Sequence, residues 1–228
     1  MSKLVFILLA LAAVLGCVPA FAVDGVILIN QSSVLAAGGF PFNILQHGSY
    51  KLSSDLVVPA ETNGIQISAS GVTLDLNGFS IRGPILCQGT VCSPHNNDTR
   101  AIFFVSDRTT IRNGYINGFS TGILGELGGG TIEDMHITAT DSFGIITINT
   151  SVRHSEVFGT AGLGLACSQC AVLENMIFEN AKGGVNLGGG IFGGNVVSSN
   201  GDNNLFANAF VAQTVVSQHN NSCNDTVC

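Results

Sequence analysis

The sequence predicts an all-β chain wound as a single-stranded, right-handed parallel β-helix solenoid of about seven coils behind an N-terminal cap. Three observations lead there. Apolar residues recur in columns: Ile102, Ile123, Ile145, Leu165, Val185 and Leu205 stand 21, 22, 20, 20 and 20 residues apart. A second column, Ile111, Ile132, Val152, Val172 and Phe192, keeps nearly the same period, and Ile65 and Leu74 head the two. The runs carrying these columns are short, alternating and rich in Val and Ile, which makes them strands and not helices. Turn residues share the period: Thr140, Thr160, Asn180, Asn200 and Asn220 are 20 apart, and Ser155, Asn175 and Asn195 repeat beside them, with Asp134 one residue early. A unit this small cannot bury its apolar face alone. Stacked in register at about 4.8 Å, the coils share one continuous core, and buried Asn side chains can bond along the axis.

Taken in order, residues 1–22 read as a signal peptide: Lys3 gives a basic start, Leu4 to Val14 an apolar run, and Ala20-Phe21-Ala22 a small-x-small cleavage site. Cleavage near Ala22 would leave a mature chain with no transmembrane segment, directed to the periplasm, the cell surface or the medium. Residues 23–60 are expected to form an N-terminal cap and lead-in strand, 61–220 the β-helix, and 221–228 a C-terminal tail. An insertion at about 84–99 interrupts the coil that follows Leu74. Gly128-Gly129-Gly130 and Gly188-Gly189-Gly190 fall between aligned strands and read as turns.

Charge narrows the partners. Lys and Arg number 8 against 15 Asp and Glu, without a basic cluster, which excludes nucleic acid as a natural ligand. Trp is absent and Tyr occurs twice, so an aromatic sugar-stacking platform would have to come from Phe. Six cysteines lie beyond the signal in three close pairs, Cys87 with Cys92, Cys167 with Cys170, and Cys223 with Cys228. Fifteen connectivities are formally open; local pairing in an oxidising compartment is the simplest.

The runs GVTLDLNGFSIRG and TTIRNGYINGFSTGI resemble the opening coils of bacterial right-handed β-helix repeat proteins of the pectin-lyase-like superfamily, and GSYKLSSDLVVP is similar to the strand that precedes their first full coil. The resemblance covers roughly residues 48–220. It implies the architecture and leaves activity open, since that superfamily holds lyases, hydrolases, epimerases and adhesins.

Two sets of residues could carry chemistry. Asp75, Arg112, Glu133 and Arg153 each follow the second apolar column and would alternate in sign along one outer stripe. Such a stripe is either a register-fixing ladder of ion pairs or a carboxylate–guanidinium groove for a saccharide. In the groove reading an Arg would act as base, and Ca2+ would be held by carboxylates. The next position reads Asp134, His154 and Glu174, able to serve acid–base chemistry or to bind a metal or other ligand but placed where a turn needs polar residues. His47, His136 and His219 are expected at the surface. The paired-carboxylate and Gly-His-Gly motifs of polygalacturonase-like hydrolases are missing, and Ser93-Pro94-His95 lacks the acids that flank a similar triplet in alginate epimerases. The sequence therefore favours a non-catalytic exported protein without cofactor or metal. It would bind a polysaccharide or a surface protein, or serve structurally. A polysaccharide-active enzyme acting on acidic glycans, with Asp75, Arg112, Glu133 and Arg153 as its machinery, is the alternative.

Overall fold

A computed structural model describes residues 25–88, 91–94, 98–201, 205–207, 215–218, 220–223 and 226–227. The chain forms the expected parallel β-solenoid, with about eight turns where seven coils are legible in the sequence. Each full coil contributes strands to three faces.

The first face stacks eight strands: Phe42–Ile44, Ile65–Ile67, Arg100–Phe104, Thr121–Gly125, Phe143–Ile148, Leu163–Ser168, Gly183–Leu187 and Leu205–Ala207. Its register follows the first column residue by residue, Ile65 to Ile102 to Ile123 to Ile145 to Leu165 to Val185 to Leu205. The second face carries the second column, Leu74 to Ile111 to Ile132 to Val152 to Val172 to Phe192, also in register. The third face begins with Leu56–Val57 and Ser80–Arg82 and continues through Glu156–Phe158, Met176–Phe178 and Val196–Ser198. In the coils of Thr109–Asn117 and Gly130–Thr138 one long strand serves both the second and third faces.

The column residues from Ile65 to Val185 and from Leu74 to Phe192 are fully buried and meet Ile81, Ile116, Ile137, Val157, Ile177 and Val197 of the third face in a single core. Two devices make the wall thin enough to stack. A glycine precedes the first-column residue in four successive coils, Gly122, Gly144, Gly164 and Gly184. A Cβ on Gly144 would sit 2.3 Å from Val157 Cγ1 and 2.5 Å from the Gly164 carbonyl oxygen, so no larger residue fits. Elsewhere volume is traded between coils: the Phe104 ring occupies the space that a side chain on Gly125 would need.

Two amide ladders run through the interior. Asn180 Nδ2 donates to Asn200 Oδ1 at 2.9 Å and the Thr160 amide donates to Asn180 Oδ1 at 3.1 Å. In the second ladder the Ser155, Asn175 and Asn195 amides donate to the Oδ1 atoms of Asn175, Asn195 and Asn221. The ladder therefore ends on Asn221. Asn220, expected from the 20-residue spacing to extend the Asn200 ladder, instead lies exposed and accepts from the Gly194 amide at 2.8 Å. The last coil is longer, with Asn195 and Asn221 separated by 26 residues, and this shifts the phase. Asp134 is likewise outside the ladder; the buried Met135 takes the in-phase position, and its amide donates to Ser155 Oγ.

Strands Val26–Ile29 and Phe42–Ile44 are the first members of their sheets. The short helix Gln31–Ala36 between them is closed by a capping box of Asn30 and Ser33 and places Val34 in the core. The insertion is an antiparallel hairpin, Leu86–Gln88 with Val91–Ser93, locked by the Cys87–Cys92 disulfide across facing positions. Cys167 and Cys170 form the second disulfide, buried at a corner between the first and second faces. One coil earlier the same corner is held by Thr147 Oγ1 and Thr150 Oγ1 at 2.7 Å.

The third expected disulfide differs from these two. Among the described residues only Cys87–Cys92 and Cys167–Cys170 are bonded, and the expected bond between Cys223 and Cys228 is not among them, because Cys228 lies outside those residues. The tail does turn back on itself just before that point, as Ser222–Cys223 pairs antiparallel with Thr226–Val227. The signal-peptide segment 1–22 also falls outside the described residues. Among the described residues, no helix is long and apolar enough to cross a membrane.

Candidate functional site

Strand alternation on the second face turns Leu74, Ile111, Ile132 and Val152 inward and the residue after each of them outward. Register then aligns Asp75 with Arg112, Arg112 with Glu133, and Glu133 with Arg153. The line closes as two ion pairs. Arg112 Nη2 is 3.3 Å from Asp75 Oδ2, and Arg153 donates to Glu133 Oε2 from Nη2 at 2.6 Å and from Nε at 2.9 Å. Both guanidinium side chains are 45% exposed, while the carboxylates beneath them are only 17% and 16% exposed, so the arginines face solvent and the acids brace them. Asp75 is further held by the Asn77 amide and by Asn113 Nδ2. Lys51 stands opposite Asp75 and lengthens the alternation by one charge.

At the corner between the second and third faces, Asn113, Asp134, His154, Glu174 and Gly194 occupy equivalent turns, all at positive φ between 49° and 68°. The left-handed residue is what lets the chain bend sharply without leaving the stack. Asp134, His154 and Glu174 are exposed there, and His154 Nε2 lies 2.6 Å from Glu174 Oε2. His47 and His136 are exposed as expected, and His219 falls outside the described residues.

Around the corner the third face adds a line that the sequence reading did not assemble. Tyr115, His136 and Glu156 are in register on successive coils. The Tyr115 and His136 rings stack at 4.8 Å and 14°, and His136 Nδ1 is 2.8 Å from Glu156 Oε2. The signal was present: each of the three lies three residues beyond Arg112, Glu133 or Arg153.

The charged stripe stops where Arg153 is followed in register by Leu173 and then Gly193. There the surface sinks into a recess of about 200 Å3, lined by Arg153, His154, Leu173, Glu174, Gly193, Gln218 and Asn220. The longer last coil builds its far wall: Gln218 Oε1 would be 2.3 Å from a Cβ on Gly193, and Asn220 is tied to the Gly194 amide. The recess thus offers a guanidinium, an imidazole, a carboxylate and two carboxamides over a floor of Leu173 and glycine. Such a mixture of donors and acceptors suits hydroxyl-rich ligands. Among the described residues no group of three or more His, Cys, Asp or Glu side chains is placed to hold a metal ion.

Compared with known proteins, the chain matches no family model and no curated protein. Among solved structures it is similar to the crystal structure of the Agl-KA catalytic domain, at 16% identity and a TM-score of 0.33, over 84% of this chain and 42% of that one. The chain spans less than half of that domain, and a superposition this loose carries no argument about activity.

Proposed function

We propose that this protein is an exported, non-catalytic binding module that holds a glycan along the corner between its second and third faces. The observation that carries the reading is the recess at Gly193. It ranges five hydrogen-bonding side chains around a floor of Leu173 and glycine, and it continues directly from a stripe whose charges are already paired and oriented, so little ordering is left for a ligand to impose. In the enzyme reading of the stripe, Asp75, Arg112, Glu133 and Arg153 would have to be available to a substrate. Here Asp75 and Glu133 stand two coils apart, about 10 Å, with Arg112 between them, and each carboxylate is held by a guanidinium. The pectin-lyase-like resemblance supports the glycan as ligand class without assigning chemistry.

The test is a glycan-array screen of the purified protein followed by titration calorimetry, with reducing-end and unsaturated-end assays run on every glycan that binds. Micromolar binding, weakened about tenfold or more by Glu174→Gln or Gln218→Ala, is expected, with no product released. Turnover that disappears in Arg153→Ala, or no binding to any glycan, would overturn the proposal.

A further inference from the structure

Tyr115 is 46% exposed although one face of its ring is covered by the His136 imidazole. The exposed area therefore lies on the ring edges and on the opposite face. In register on that side is Ser80, a far smaller side chain, and beyond Ser80 comes Asp55. Asp55 accepts from the Ser80 amide at 2.9 Å and is ion-paired with Arg82. Tyr115 and Asp55 are thus two coils apart, about 10 Å along the axis, with only Ser80 between them. Tyr115 and Asp55 thus stand on either side of the small Ser80, and Arg82, two residues along the Ser80 strand, reaches across to Asp55. On the same face the Phe158 and Phe178 rings stack on each other at 5.0 Å.

We infer that Tyr115, Ser80, Asp55 and Arg82 form a second saccharide subsite, in which one pyranose ring of a neutral glycan stacks on the Tyr115 phenol and its hydroxyls bond to Asp55 and Arg82. This rests on the glycan-binding reading given above and specifies its ligand. Carbohydrate C–H faces pack on aromatic rings, and a carboxylate beside a guanidinium accepts and donates to vicinal hydroxyls. Neutrality follows from charge: Asp55 and Arg82 cancel, and a chain of net charge −7 repels a polyuronate. Arg153, at the edge of the recess, lies two coils beyond Tyr115 in the stack. An extended oligosaccharide following the corner therefore reaches both subsites.

The composition supplies a selective reporter. Trp is absent and the two tyrosines are Tyr50 and Tyr115. Tyr50 is 5% exposed, its hydroxyl donating to the Gln46 carbonyl, so acrylamide quenching of tyrosine emission reports chiefly on Tyr115. The probes are cellohexaose, maltohexaose and laminarihexaose, with hexagalacturonate as the acidic comparison. A neutral hexasaccharide is expected to shield Tyr115 from acrylamide. Affinity is expected to fall about tenfold in Tyr115→Ala and to persist in Tyr115→Phe. If a neutral glycan binds and Glu174→Gln weakens it, while Tyr115→Ala and the quenching are unchanged, the subsite is refuted and the recess stands. Binding of hexagalacturonate alone refutes the neutral ligand, and binding of none of the four refutes the subsite, while the glycan reading falls only if the array also shows no binder.

Discussion

The Asp55 carboxyl sits below its ordinary pKa chiefly because the Ser80 amide donates to it; burial opposes this, and the Arg82 guanidinium adds to the lowering. A lowered folded-state value means that the unfolded chain takes up a proton first as pH falls. The stabilisation is complete above the unfolded value of about 3.9 and disappears as pH drops through the folded one. Urea midpoints of the wild type and Asp55→Asn, measured from pH 6 to pH 2, should therefore differ at the upper end and converge at the lower. A gap that stays constant over this range would show that Asp55 acts through geometry alone. At this scale the sequence was most informative where alternation did the placing: Asp75, Arg112, Glu133 and Arg153 emerge on one line because each follows a buried column residue. Tyr115 was harder to recognise, since its value depends on the small size of Ser80 one coil away, and the two lie 35 residues apart across the 84–99 insertion.

The amide ladders explain why Asn and Gly recur together. Asn180 reaches its neighbours because Gly164 is bare: a Cβ there would come within 2.6 Å of Asn180 Nδ2. Asn180 and Asn200 each also donate to a carbonyl 23 residues back, those of Val157 and Ile177. Above them the column changes to Thr160 and Thr140, whose buried hydroxyls have no hydrogen-bond partner among the described residues. Gly144 stands in the same relation to residue 160 as Gly164 does to Asn180, 16 residues earlier. Thr160→Asn should add a rung, donating to the Ile137 carbonyl and bonding to Asn180. It should raise stability by about 1 kcal/mol, or roughly 2–4 °C in thermal midpoint. A lower midpoint would mean that the wall between Gly144 and Val157 is too tight for the longer side chain. The spacing exposed these ladders in the sequence wherever coils keep 20 residues. It failed in the last coil, where extra residues move the rung from Asn220 to Asn221.

For the whole molecule, the coils touch only those above and below, so cohesion is a chain of nearest-neighbour contacts and not one indivisible centre. Ile132→Ala in the middle of the stack should cost about 2–5 kcal/mol locally. Native-state hydrogen exchange should quicken first in the adjoining strands Thr109–Asn117 and Thr150–Arg153, well before Val196–Ser198. Equal acceleration everywhere would mark the solenoid as a single cooperative unit. The fold as a whole was legible because repetition multiplies a weak signal; the recess was not, because it exists only where repetition ends and Gln218 and Asn220 leave the period. The corner occupied by a hydroxyl pair in one coil and by a buried cystine in the next has a consequence for biogenesis. Since threonines shape the same bend without any covalent link, winding need not wait for oxidation. The sulfurs meet because the coil has already brought them together, and their bond records the geometry it finds.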